Sequence, residues 1–163
     1  MRLKSIVVIA AIAALAPMRA DAQVLTERNI SLQLALSIAQ AAMAACKTDG
    51  YDVSVAVVDR AGDLKVMLRA DTANPHNADL ARRKAYTSRT FKVPSMEVAK
   101  RTNGPTDLSG QRFLVDVIPL GGGLPINVGN DTIGALGISG SPTQEGDEKC
   151  ATAALASVAN SLK

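Results

Sequence analysis

Two β-branched runs separated by a short glycine-containing loop are the feature of this sequence that most restricts its fold. Residues 52–59 read DVSVAVVD, and residues 64–71 read LKVMLRAD. Apolar side chains alternate along the first run, and Gly62 lies in the loop between the two. Alternation has the period of a strand, and a short loop with glycine favours a reversal of the chain. The pattern therefore predicts an antiparallel β-hairpin.

The rest of the chain predicts helices and further strands around this hairpin. Each predicted helix has a capping residue at its start or a breaker beyond its end: residues 31–47, residues 77–91, a short helix from Ser95 and a last helix from about Ser141. Three more strands are predicted between turn residues: 113–118, 124–128 and 132–139. Five strands joined mainly by short turns predict an α+β fold with an antiparallel sheet covered by helices.

The first 22 residues have the pattern of an export signal. Basic residues precede an apolar run of about twelve residues, which is too short to cross a bilayer as a stop-transfer helix. An Ala-Asp-Ala cleavage site ends at Ala22. We expect a signal peptide over 1–22, a single domain over 23–163 and a periplasmic or secreted protein. A retained N-terminal anchor is the alternative.

Charge and aromatic content argue against a nucleic-acid partner. Residues 1–22 carry three basic residues and one acidic residue, so their removal lowers the formal net charge from +3 to +1. The chain has no Trp and few other aromatic residues, so it lacks the stacking platforms on which nucleic-acid bases bind. We expect no nucleic-acid partner.

Four segments, taken together, resemble the GlcG/HbpS family of haem-degrading (DUF336) domains. In chain order they are VSVAVVDRAGDLKVMLRAD, ARRKAYTSRTFKVPSMEV, GGGLPI and IGALGISGSPTQEGDEKCATAAL, within residues 26–160. The resemblance implies a profilin-like three-layer α/β/α fold with a five-stranded antiparallel sheet. It also implies binding of haem or a related tetrapyrrole and homo-oligomeric assembly. In exported members it implies haem or redox sensing, with a membrane sensor protein as a possible partner.

Three consecutive glycines, Gly121, Gly122 and Gly123, lie between two apolar runs. The pattern argues against a phosphate-binding P-loop, because the residues that follow lead into a strand and lack the Gly-Lys-Ser/Thr ending. The glycines are expected to form a wide or bulged turn with positive φ angles. The alternative is that their bare amides let a flat or anionic ligand approach the backbone, and one loop can serve both purposes.

The only histidine, His76, precedes the second predicted helix. A neutral imidazole is the usual axial ligand of haem iron, so His76 is the candidate iron ligand, with an exposed loop residue as the alternative. Weaker candidates for the iron are the side chains of Met67, Tyr86, Thr87 and Met96.

Basic residues of the hairpin and the second helix are candidates for contact with an anionic ligand. Lys84 and Thr87 lie in a K-A-x-T segment typical of the family that the chain resembles, and Arg69 lies in another family-like motif. The remaining basic residues of this helix can also pair with carboxylates, with a solvated helix face as the alternative: Arg82, Arg83 and Arg89.

Two classes of function follow. The first is an exported haem-binding protein, with haem sensing, storage or slow degradation as its role. The alternative is an enzyme or binding protein for a small oxo- or hydroxy-carboxylic acid, with Arg69, Lys84 and the glycine amides as a carboxylate clamp and Asp59 or Glu97 as base. A structural oligomer module is a third interpretation. The single histidine has no recognisable Ser or Cys partner for nucleophilic catalysis.

The two cysteines predict a disulfide. Cys46 lies near the end of the first helix and Cys150 near the start of the last, and pairing is the default in an exported protein. The sulfur atoms meet if the two helices pack antiparallel, which the implied fold allows. Closing a loop of about a hundred residues would stabilise the fold by up to roughly 4.7 kcal/mol. Two buried free thiols are the alternative.

Overall fold

A computed structural model describes residues 24–105 and 107–163, so the predicted signal peptide lies outside the described residues. The helices are α1 (Leu32–Thr48), α2 (Asn77–Phe91), α3 (Ser95–Thr102) and α4 (Gln144–Ser157), with short 3-10 helices at Ser109–Phe113 and Ala159–Ser161. The strands are β1 (Ser54–Asp59), β2 (Leu64–Arg69), β3 (Gly123–Val128) and β4 (Asp131–Ser139). Within the described part of the chain, no helix is long and apolar enough to cross a membrane.

The four described strands form one antiparallel sheet in the order β2-β1-β4-β3. β1 and β2 are the predicted hairpin, and β1 pairs on its other side with β4, where Ala56 lies opposite Gly137. The α+β class and the antiparallel sheet are therefore confirmed.

Helices cover both faces of the sheet because side chains alternate across each strand. One face packs against α1 and α4 with large apolar side chains, including Val55, Val57, Leu136 and Ile138. The other face presents smaller side chains, including Ala56 and Ala135. These pack against Ala81 and Ala85 of α2. The result is a helix–sheet–helix arrangement in which α2 lies close to the strands.

Two glycines let α2 approach the sheet this closely. A Cβ atom at Gly137 would overlap the backbone of Ala81 and lie 2.6 Å from the backbone nitrogen of Ala85. A Cβ atom at Gly123 would likewise overlap the backbone carbonyl of Lys84. The absence of side chains at these points brings the middle of α2 over β3 and β4.

The segment 113–118 is not a strand, so the prediction of five strands is wrong and the sheet has four. Its backbone polar groups bond to α2 instead of to a neighbouring strand: Ile118 N donates to Thr87 Oγ1 at 2.8 Å, and Arg83 donates to Val117 O at 3.0 Å. Asp116 has a positive φ of 64°, which interrupts extended backbone. The apolar residues that produced the strand pattern are largely exposed: Phe113, Leu114 and Val115.

Cys46 and Cys150 form the predicted disulfide, with their Cα atoms 5.2 Å apart. The bond joins α1 to α4, which pack against each other on one face of the sheet. It therefore fixes the helix that carries the acidic residues of the site described next.

Candidate functional site

A buried ion pair between Lys84 and Asp147 joins α2 to the first turn of α4. Lys84 Nζ donates to Asp147 Oδ2 at 2.7 Å and to Ile138 O at 3.0 Å, and the two side chains are 3% and 4% exposed. The other carboxylate oxygen, Oδ1, accepts from Ser141 N at 2.9 Å. A buried charge is tolerated when it is paired and its remaining polar atoms are bonded, and both conditions hold here. The pair thus ties α2, the end of β4 and α4 together.

Of the three consecutive glycines, Gly122 packs directly against this pair and is the one with a positive φ angle. Gly122 has a φ of +110°, and a Cβ atom there would lie 2.7 Å from Asp147 Cβ and 2.8 Å from Ile138 O. Gly121 N donates to Gln144 Oε1 at 2.7 Å, and Gly123 N donates to Ser95 Oγ at 2.8 Å. These two amides are therefore occupied by protein side chains, and the turn has a packing reason for its glycines.

His76 and Lys84 line the same cavity. The cavity has a volume of about 240 Å³, and its walls include His76, Asn77, Leu80, Lys84 and the loop 139–144. His76 immediately precedes α2 and is exposed, and no hydrogen bond to another described residue engages its imidazole. The cavity thus has a free imidazole at its rim and a buried ion pair in its wall.

Thr87 and Arg69 lie apart from this cavity and are already bonded. Thr87 is fully buried, and its hydroxyl donates to Arg83 O at 2.8 Å while accepting from Ile118 N. Arg69 donates from Nε and Nη2 to Ala73 O, at 3.1 and 2.6 Å. Arg69 lines a separate groove of about 740 Å³ between α1 and the end of β2. In this structure both residues hold loops in place.

The weaker iron-ligand candidates are dispersed. Tyr86 packs against Gly62 at the hairpin turn, Met67 packs against the small residues under α2, and Met96 packs against Gly121. None of the three lines the cavity beside His76. The structure therefore brings His76 together with Lys84 but not with these side chains.

The two candidate bases also have structural partners away from the cavity. The Asp59 carboxylate accepts from Ala61 N at 2.9 Å and from Asp63 N at 3.2 Å in the hairpin turn. Glu97 pairs with Lys100 at 2.8 Å on the surface of α3. The described residues contain no group of three or more His, Cys, Asp or Glu side chains placed to hold a metal ion.

Sequence reasoning missed two acidic residues of α4, Asp147 in the buried ion pair and Glu148 near Gly122, which it treated as ordinary charges in the first turns of a helix. Burial raises the pKa of the Glu148 carboxyl, and the charge of Lys100 and the Gly122 N–H oppose that shift. Among the described residues, no hydrogen-bond partner reaches the buried Oε2 atom of Glu148. Asp147 could have been found from spacing. Because Cys150, Ala151 and Ala154 follow it at three-, four- and seven-residue intervals, Asp147 shares their buried helix face.

Comparison with known proteins identifies the family. Residues 30–156 match the family described as "Haem degrading protein HbpS-like". The chain belongs to this family. The resemblance noted from the sequence motifs is thereby confirmed.

Individual relatives agree with this assignment over most of their length. A Citrobacter freundii protein, described as an uncharacterized 15.0 kDa protein in the dhaT-dhaS intergenic region, is 32% identical over 129 residues, 78% of this chain and 90% of that protein. The crystal structure of HbpS is similar with a TM-score of 0.79 at 33% identity, covering 83% of this chain and 94% of HbpS. The crystal structure of a PduOC:haem complex has a TM-score of 0.73 at 28% identity, covering 78% of this chain and 94% of PduOC.

Proposed function

We propose that this chain is an exported haem-binding protein in which His76 supplies the ligand to the haem iron. The observation that carries the proposal is the exposed imidazole of His76 at the rim of a cavity, which no other described residue engages by a hydrogen bond. Membership of a family described as haem-degrading supports it, and so does the likeness to a protein crystallised as a haem complex. When bound, haem supplies a redox-active iron, and the residues of this chain bind and orient it.

The residues around His76 fit part of a haem site. The imidazole is the donor that haem iron most often takes, and Leu80 and Pro142 add apolar surface beside it. A porphyrin ring is larger than the 240 Å³ cavity, so most of its area must find apolar contact beyond these walls. We infer that a second copy of the chain supplies that contact in a homo-oligomer.

Lys84 acts in this proposal as a positioning residue. Its ammonium group donates hydrogen bonds to Asp147 and to Ile138 O and is almost completely buried. Lys84 therefore fixes the segment 139–144, which forms one wall of the cavity. The glycines allow the same close packing from the other side of the pair. The ion pair thereby determines the shape of the cavity beside His76.

Export is the second part of the proposal. The disulfide supports it, because such bonds persist in oxidising compartments such as the periplasm and the cell exterior. The N-terminal pattern of residues 1–22 supports it independently. Haem binding is the step common to haem storage, sensing with a membrane partner and slow haem degradation, so it is the step to measure first.

A second candidate function is binding of a small oxo- or hydroxy-carboxylic acid. The observation that favours it is the size of the cavity, which suits a molecule of a few heavy atoms, with the polar side chains of Asn77 and Ser139 in its walls. Against it stand the engaged amides of Gly121 and Gly123, which leave fewer donors for a carboxylate.

Titration of residues 23–163 with haem, followed through the Soret band, tests the first function. We expect a saturable spectral shift at one haem per one or two chains, with micromolar affinity on the order of that typical for specific small-ligand sites. A broad response that does not saturate would contradict haem binding. The same protein screened by thermal shift against small oxo- and hydroxy-acids tests the second function, which requires a saturable rise in melting temperature.

A further inference from the structure

Arg89 lies near the end of α2, with its guanidinium group beside the turn between β1 and β2. Among the residues of 24–105 and 107–163, none forms a hydrogen bond or direct ion pair with it. Its Nε is buried and has no acceptor. Buried donors are nearly always bonded in folded proteins, so this one calls for an acceptor from outside the described residues, which a bound anion can supply.

A cavity of about 350 Å³ lies in front of this group, lined by Glu27, Asn29, Arg60, Ala61 and Arg89. Arg60 is held in place, because its Nε pairs with Glu27 at 3.2 Å and its backbone N–H donates to Asn29 Oδ1 at 3.0 Å. Glu27 therefore balances Arg60, whereas among the described residues no carboxylate forms an ion pair with Arg89, and the charges of Asp59 and Glu27 act on it only from further away. Burial, and then the nearby charge of Arg60, lower the pKa of Arg89.

We propose that Arg89 and Arg60 form a binding site for a small oxyanion beside the turn between β1 and β2. An oxyanion accepts from the buried Nε and from a terminal nitrogen of Arg89 at once, because a guanidinium group presents parallel donors that match a carboxylate or a phosphoryl group. Arg60, fixed by Glu27 and Asn29, contributes its charge from the opposite wall. Binding removes both the unbonded donor and the repulsion between the two guanidinium groups.

This site is separate from the one at His76. His76 immediately precedes α2, and Arg89 lies thirteen positions further along the chain, near the end of that helix. This separation corresponds to about 20 Å along a helix axis. Loss of haem binding therefore says nothing about the oxyanion site, and the converse also holds.

Thermal-shift titration of residues 23–163 with sodium acetate, oxalate and phosphate tests the proposal, with sodium chloride keeping the ionic strength constant. We expect at least one of these anions to raise the melting temperature with saturation. Saturation by acetate or oxalate alone identifies a carboxylate ligand, and saturation by phosphate alone identifies a phosphoryl ligand. Either result supports the site, whereas a response equal to that of chloride for all three overturns it.

Substitution of Arg89 tests the site, and the same substitution at the nearby Lys92 is the control. Arg89→Gln is expected to weaken binding about tenfold, the size expected for loss of charge-assisted hydrogen bonds. Lys92→Gln removes one charge from an exposed position three residues away and is expected to leave binding unchanged. Equal losses in both variants would overturn the proposal. If Arg89→Gln does not fold, the NMR resonance of the Arg89 Nε–H group is followed instead during titration of the wild type with anion. A resonance that does not shift would also overturn the proposal.

Discussion

Lys84 Nζ lies 2.7 Å from Asp147 Oδ2, and neither side chain is more than 4% exposed. The two residues are 63 positions apart, so this contact joins α2 to α4 at the edge of the cavity that contains His76. Gly122 packs against both partners, because a Cβ atom there would lie 2.7 Å from Asp147 Cβ and 3.2 Å from Lys84 Nζ. The ion pair is therefore the element on which the geometry of the site depends.

Lys84→Met is expected to lower the free energy of unfolding by about 3–5 kcal/mol, because it leaves the Asp147 carboxylate buried without a counter-charge. Urea unfolding at pH 7 measures this change. Lys100→Met is the matched control: Lys100 pairs with Glu97 on the surface, where solvent screens the pair, so its loss should cost much less than the loss of Lys84. Equal losses of unfolding free energy in the two variants would contradict a larger contribution from the buried pair than from the exposed one.

Gly122→Ala is expected to destabilise the fold by at least about 2 kcal/mol. A left-handed backbone costs a non-glycine residue roughly 1–3 kcal/mol, and the added methyl group overlaps Asp147 and Ile138 O. Gly110→Ala is the control, because nothing lies within 4 Å of a Cβ atom there. Thermal unfolding of both variants gives the comparison, and a Gly122→Ala protein as stable as Gly110→Ala would contradict the packing described here.

The sequence predicted those elements whose signals are local. The second helix was predicted over 77–91 and is observed over Asn77–Phe91, because a breaker at Pro94 follows an uninterrupted helical pattern. The last helix begins a few residues later than predicted, at Gln144, since the side chain of Thr143 caps it by accepting from Gly146 N. Segment 113–118 was predicted wrongly because side chains of α2 satisfy its backbone, and a local pattern does not reveal such a contact.

The candidate site, like the fold, was predictable only where its signals are local in the sequence. The choice of His76 as a candidate follows from composition and position alone, because it is the only histidine in the sequence and precedes a helix; its role as iron ligand stays a prediction. The partners of Lys84 and Thr87 did not follow, because Asp147 and Ile138 are distant in sequence from Lys84, and Ile118 is distant from Thr87. Long-range hydrogen bonds decide which basic or polar side chains of α2 remain available to a ligand.

Removal of the disulfide is expected to cost about 2–4 kcal/mol in the free energy of unfolding. The bond closes a sequence separation of 104 residues between two helices that pack together. Guanidinium unfolding of the oxidised protein, compared with the Cys46→Ala/Cys150→Ala double variant, measures the difference. Identical transition midpoints would show that the bond does not constrain the unfolded chain.

Glu148→Gln is expected to stabilise the protein at pH 7 but not at pH 3. Burial raises the pKa of Glu148 in the folded state, so the cost of its ionised form grows as pH rises from the unfolded value, about 4.3, through the folded value. Below that range the carboxyl is neutral in both states and resembles the amide. Thermal unfolding at both pH values checks this, with Asp107→Asn as the control, because Asp107 is exposed and is not among the charges that act on Glu148. A stabilisation that is equal at both pH values would contradict burial as its cause.

The most direct test of the account is the absorption spectrum of the haem complex in the wild type and in His76→Ala, with and without added imidazole. If His76 ligates the iron, the variant loses the Soret position of the wild type, and free imidazole restores it by entering the space left by the side chain. Haem spectra that are identical in the wild type and His76→Ala, before and after imidazole, would contradict the assignment of His76 as the iron ligand.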